Sequence, residues 1–427
     1  MLGLSTDGNL ENADVFFAGV SNGQPYSSQN TMRVLWGYGK TDNTRIPKSK
    51  TTYWCKSFET PQLDEQVHAI VFSPYIQEGN EAFVHHIIVY GCYGNTSKGN
   101  NNEHDGKCYS KNMPIDWNNC IEVVFGWAVG GSKFALPEHA GIPVGGKDDP
   151  AYYLLEMHYD NPHRKEGIID SSGIDITLTK SKRQYDAGTL SIGYAVRGYS
   201  QLIPPYAEEF KYYGNCEACG SMITPEGNNQ WNEDGVKMFA VLLHAHLAGR
   251  KIRVRHIRNG KLLPDVMYDE NYDFNYQETR YMKKETILLK GDILQTECVY
   301  DTTQRTKFTK GGLGTEEEMC LAYIQIYPRT KLKSCVTDVD MDPLHYKNNE
   351  DAIKKMELIV NGLEPKTNFT QICSDRSSRV KYKNRPFPVI KSDDLSTIQP
   401  TTTEENSAAK FCVTTGIIFI FISYWLI

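Results

Sequence analysis

Apolar residues in this chain cluster in short runs broken by turn residues. Ala82-Phe-Val-His-His-Ile-Ile-Val-Tyr, Tyr152-Tyr-Leu-Leu-Glu-Met-His-Tyr and Met238-Phe-Ala-Val-Leu-Leu-His-Ala-His-Leu are rich in β-branched and aromatic residues. So are Gly173-Ile-Asp-Ile-Thr-Leu-Thr, Lys251-Ile-Arg-Val-Arg-His-Ile, Ile293-Leu-Gln-Thr-Glu-Cys-Val-Tyr and Met319-Cys-Leu-Ala-Tyr-Ile-Gln-Ile-Tyr. Such runs predict β-strands. Asn22-Gly, Asp160-Asn-Pro, Asn259-Gly, Lys290-Gly-Asp and Gly311-Gly punctuate them as turns. Helical periodicity is scarce, and its clearest stretch is 349–363. Many short strands with these turns predict an all-β protein built of antiparallel sandwiches or jelly rolls.

The strands fall into two sets, about 51–181 and 186–336. A less regular segment follows. A Ser/Thr-rich stalk, 392–410, then leads to an apolar tail, 411–427, with no charged residue. The tail is near the lower length limit for a membrane span, and membrane attachment is expected. Small residues just before it, Ser407, Ala408 and Ala409, leave a removed lipid-anchor signal as the alternative.

Composition adds little beyond compartment. The net charge of -6 and the lack of a long Lys/Arg run exclude an obvious nucleic-acid partner. Eleven cysteines spread along the chain read as a disulfide set. Sequons at Asn95 and Asn368 are compatible with glycosylation in the secretory pathway. The expected location is an endoplasmic-reticulum or vesicle membrane, with the folded part lumenal or extracellular. No basic n-region or apolar h-region follows Met1, so a truncated start is expected.

Histidines supply the candidate chemistry. His244-Ala-His246 lies in an apolar strand, and its i, i+2 spacing puts both rings on one face, ready to share a metal. His85-His86 lies in another, where successive residues point to opposite faces. Both rings reach one metal only if that strand is bulged, strongly twisted or at an edge. His158 ends a third strand before a turn, and Met319 opens a fourth. A thioether beside imidazoles shifts metal preference toward copper, above all Cu(I). Taken singly, each has an ordinary structural reading: a core histidine, or a methionine filling space.

Taken together these segments resemble the copper type II, ascorbate-dependent monooxygenases, nearest the dopamine β-hydroxylase-like monooxygenases. The phrases that carry the resemblance are Thr51-Thr-Tyr-Trp-Cys55, Val84-His-His-Ile87, Leu155-Glu-Met-His-Tyr-Asp-Asn-Pro162, Leu243-His-Ala-His-Leu-Ala-Gly-Arg250 and Glu318-Met-Cys-Leu-Ala-Tyr323. Their order and spacing fit over about 45–391.

The resemblance implies two tandem β-sandwich copper domains, 46–184 and 185–391. His85, His86 and His158 match the ligands of an electron-storing copper. His244, His246 and Met319 match those of an oxygen-binding, catalytic copper. Two coppers per chain, with ascorbate as reductant and dioxygen as oxidant, would then hydroxylate a C–H bond of a small molecule. That molecule is expected to be amine-like, with a phenylalkylamine as its model. The resemblance further implies the disulfides Cys55–Cys108, Cys92–Cys120, Cys216–Cys335, Cys219–Cys373 and Cys298–Cys320, with Cys412 left in the tail. Cys216-Glu-Ala-Cys219 has redox-motif spacing but no thioredoxin-like surroundings.

Residues 1–45 resemble only the flanks of the family's N-terminal regulatory sandwich. A truncated remnant is expected there, and its loss bears on assembly and secretion more than on the ligands. Oligomeric state is left open. Two further functions stay in view: peptide hydroxylation by the same chemistry, and copper binding without turnover.

Overall fold

The computed structural model describes residues 31–37, 44–60, 63–93, 105–111, 113–114, 120–197, 200–218, 234–338, 368–374 and 379–386. Among the described residues every regular element is a strand, as the short apolar runs require. The periodic stretch 349–363 and the tail lie outside them. Among the described residues no helix is long and apolar enough to cross a membrane.

Two sandwiches, both within one compact unit spanning Met1–Ile390, account for the fold. In the first, a five-stranded sheet runs Asp105–Lys107, Thr51–Glu59, Tyr152–Asp160, Val84–Cys92, Cys120–Ala128. It packs on a six-stranded sheet whose inner residues include Phe72, Ile174 and Ile176. Ile87, Val89, Leu155 and Met157 meet these from the five-stranded side. Thr31–Gly37, expected in the remnant, pairs antiparallel with Gly173–Thr179 at the edge of the six-stranded sheet.

In the second sandwich a seven-stranded sheet contains Thr279–Leu288, Val236–Ala245, Cys320–Tyr327 and Gly188–Tyr194 in that order. It packs on the four strands Phe210–Glu217, Ile293–Tyr300, Gly249–Arg258 and Lys261–Asp269. Met238, Val241, Leu243 and Ala245 enter this sandwich's core, with Ala322, Ile324 and Ile326 from the neighbouring strand.

Strand parity then decides what faces outward. On Val236–Ala245 the opposite face carries Leu242 and His244, and on Cys320–Tyr327 it carries Leu321 and Tyr323. A register shift at Phe239 turns Phe239 and Ala240 into the first sandwich's core. Two buried ion pairs cross between the sandwiches: Lys333 Nζ to Glu122 Oε1 at 2.8 Å and Arg329 to Asp149 Oδ1 at 3.0 Å. The Tyr281 hydroxyl donates to the Ala135 carbonyl at 2.6 Å and accepts its N–H at 3.0 Å.

Among the described residues four disulfides are formed: Cys55–Cys108, Cys92–Cys120, Cys216–Cys335 and Cys298–Cys320. Cys373 lies opposite Cys335 in register, but Cys219 is outside the described residues, as are Cys412 and Asn95. Asn368 begins the strand Asn368–Ser374.

Candidate metal centres

The His85-His86 conflict is resolved by a bulge. Between Val84–Cys92 and Tyr152–Asp160, His158 opposes His86 while Tyr159 opposes Val84, so His85 is the extra residue. An extra residue bends the strand and re-aims its side chain. All three imidazoles thereby gather on one side. Nδ1 of His86 lies 3.4 Å from Nδ1 of His85 and 3.1 Å from Nδ1 of His158. The three side chains are buried, and their nitrogens form a group compact enough for one ion.

Burial, and then neighbouring imidazoles, push all three well down, His85 to about 3. Neutral imidazoles with lone pairs available are what metal ligation needs. Three ring nitrogens facing one another in a buried pocket are poorly satisfied by each other, and a shared cation would satisfy them all. The first histidine set therefore fits a metal.

His244 and His246 lie across the crevice on one strand face, with ring centroids 5.3 Å apart. His244 Nδ1 is held by Gln277 Oε1 at 2.7 Å, and His246 Nδ1 by the Glu317 carbonyl at 3.1 Å. These bonds require Nδ1–H on both rings and leave each Nε2 a lone pair. His246 Nε2 is buried with no hydrogen-bond partner, the mark of an atom waiting for a metal. Ala245 pairs with Cys320, so buried Met319 follows the phase of Leu321 and Tyr323 beside the histidine face. Two imidazoles and a thioether suit copper better than harder ions.

Several residues that steady these sets escaped the sequence reading. The buried carboxylate of Glu318 accepts N–H bonds from His246 at 2.9 Å, Ala248 at 2.6 Å and Met319 at 3.2 Å. Burial outweighs those bonds and leaves it at about 7. The Tyr300 hydroxyl donates to the Met319 carbonyl at 2.7 Å, and the Cys298–Cys320 bridge, which the family resemblance had already implied, pins the next residue. A segment of the second sandwich also reaches the first set. Phe274 stacks on His85 at 3.9 Å, and its carbonyl accepts from His85 Nε2 at 3.1 Å and from Gln277 Nε2 at 2.7 Å. Only the adjacency of Glu318 to Met319 was a signal in the sequence. Phe274 and Gln277 lie far from any motif.

The two sets face each other. The His86 and His244 rings stand 5.5 Å apart, edge to face. Beside them is a cavity of about 20 Å³ bounded by Ile88, Val123, Gly126, Leu242 and Tyr323. It has room for roughly one water.

The buried cluster of three histidines on the first sandwich, and the two histidines facing it on the second with buried Met319 next to them in the fold, are residue types suited to copper. Comparison with known proteins agrees. The N-terminal domain model of the copper type II ascorbate-dependent monooxygenases matches residues 39–166, and the C-terminal domain model matches 185–349. The chain belongs to that family. DBH-like monooxygenase protein 1 of Homo sapiens is 44% identical over 298 residues, covering 69% of this chain and 48% of the relative. Dopamine beta-hydroxylase of Canis lupus familiaris is 38% identical over 299 residues, covering 70% of this chain and 46% of the relative. The chain thus spans about half the length of the curated relatives it matches. Among solved structures, PNGase F, a glycosylasparaginase from Flavobacterium meningosepticum, aligns over 70% of this chain and 95% of its own. At a TM-score of 0.31 and 10% identity that likeness bears no weight.

Proposed function

We propose that this chain is a copper- and ascorbate-dependent monooxygenase that hydroxylates a C–H bond of a small amine-like molecule. The observation that carries the reading is the pair of ligand sets facing across one crevice, with the His86 and His244 rings 5.5 Å apart. His85, His86 and His158 would hold one copper. His244, His246 and Met319 would hold the other. When bound, copper supplies one-electron redox chemistry and activates dioxygen, with ascorbate as the source of electrons.

The chain's own residues do the rest. The bulge at His85 brings three nitrogens together. Gln277 and the Glu317 carbonyl fix the tautomers of His244 and His246, so that each Nε2 keeps a lone pair with which it would hold copper. A three-ligand set leaves a position open for a small reactant. The buried crevice limits water, which protects a reactive centre from side reactions.

The disulfides and the family support an oxidising, secretory compartment for the protein. Sequon use and membrane attachment belong to the proposal and lie outside the described side chains.

The test is oxygen uptake by the ascorbate-reduced, copper-loaded chain with phenethylammonium, with mass analysis for one oxygen atom taken from labelled dioxygen. Met319→Ile should abolish turnover, a loss of at least about a hundredfold, while the melting temperature barely moves. Normal turnover by that variant would remove Met319 from the oxygen-reacting site.

A further inference from the structure

The face of the five-stranded sheet that carries His86 and His158 also carries Glu156. Register sets Glu156 opposite Ile88, which lines the crevice cavity, and opposite Cys55 on the other side. The side chain is buried. Among the described residues it forms no ion pair, and its neighbours are phenols. The Tyr109 hydroxyl donates to Oε2, and the Tyr90 hydroxyl to Oε1 at 3.4 Å. Tyr53 stands two pairs along, opposite His158, and its ring lies 6.0 Å from that of Tyr109. Its own hydroxyl is buried with no partner.

Two features show that this is built rather than incidental. Tyr109 holds φ 56, a left-handed conformation that a bulky residue adopts at a cost of about 1–3 kcal/mol. The Cys55–Cys108 bridge anchors it there, next to the strand residue that pairs with Glu156. Tyr109 is 53% exposed as a residue, while its hydroxyl reaches inward to Glu156.

A carboxylate is a pure acceptor, and inside a protein it calls for a cation. Tyrosine ring faces attract cations as well. The nearby sulfurs of Cys55 and Cys108 are joined to each other, which removes them as metal ligands. We propose that Glu156, with Tyr53, Tyr90 and Tyr109, forms a cation subsite that anchors the ammonium of a small amine substrate beside the metal centres. The inference rests on the amine-hydroxylase reading and gives its substrate a place to bind. The position is apt, because Glu156 is two residues along the strand from His158, about 7 Å.

Equilibrium binding to the full chain tests this without turnover. Calorimetry would compare phenethylammonium with phenethyl alcohol, its neutral isostere, on the wild type and on Glu156→Gln. The wild type should favour the ammonium by about tenfold or more, and Glu156→Gln should bring the ratio close to one. Copper content and melting temperature serve as controls for folding. Should Glu156→Gln fail to fold, Tyr109→Phe is the second variant and should lower the ratio at least about threefold. No detectable ammonium binding, an equal preference in the wild type, or an undiminished preference in the folded variant would each overturn the proposal. Because neither ascorbate nor turnover is involved, failure of the monooxygenase reading would show separately, as absent oxygen uptake with ammonium binding intact.

Discussion

Glu318 accepts three backbone N–H groups, and two of them belong to His246 and Met319. One carboxylate thus ties together the two segments that carry the second ligand set. Glutamine in its place keeps one acceptor and turns an amide N–H₂ toward another N–H. We expect Glu318→Gln to lose the second-site copper and keep the first, so copper per chain falls by about half. Metal analysis checks this, with X-ray absorption reporting the loss of copper–sulfur scattering from Met319. Full copper content with that scattering intact would reduce Glu318 to a packing residue. At this scale spacing alone marked His244 and His246 as a pair on one face, and the set of six candidate ligands came only from the family resemblance of the segments taken jointly. Their supports could not be read, because a hydrogen-bonding partner such as Gln277 is recruited by folding from a segment with no pattern of its own.

Strands carry a second kind of information. His85-His86 in an apolar run is a contradiction for a flat strand, and the bulge resolves it in one of the ways that geometry allows. Parity also explains why His244 faces the crevice while Leu243 and Ala245 are core. The exact pairing order of the strands was not legible, because alternation gives a face but not a neighbour.

One turn illustrates how the elements are closed. The Asp292 carboxylate, in the turn before Ile293–Tyr300, accepts from His256 Nε2 at 2.7 Å, from Arg258 Nε at 2.8 Å and from the Leu289 N–H at 2.7 Å. Burial pushes this carboxyl up. The bonds from Arg258, His256 and Leu289 outweigh it and hold Asp292 at about 2. A folded value below the unfolded one, about 3.9, means stability that is present above that value and is lost as pH falls toward 2. Asp292→Asn should therefore lower stability by about 2–3 kcal/mol at neutral pH and flatten the acid limb of the stability profile. Denaturant titrations from neutral pH down to about 2 measure both. An unchanged acid limb would show that other carboxyls control it.

For the whole molecule, the question is what sets the two ligand sets face to face. The Lys333–Glu122 and Arg329–Asp149 pairs cross the join between sandwiches with all four side chains buried. A buried pair contributes little net stability when intact, yet breaking one half strands a charge. Lys333→Met alone should destabilise by about 3–5 kcal/mol, and adding Glu122→Gln should recover most of it. Denaturant titration of the single and double variants decides. Equal losses in the two would mean that the charges do not act as a pair.

Two domains were legible as two sets of strands. Their close apposition was not, since nothing in either half alone names the surface of the other. The measurement that bears most directly on the account is copper per chain in the purified, ascorbate-reduced protein. Two coppers, with His244→Ala removing one and leaving the other, is the result expected of two independent three-ligand centres. One copper or none in the folded wild type, or loss of both in His244→Ala, would contradict it.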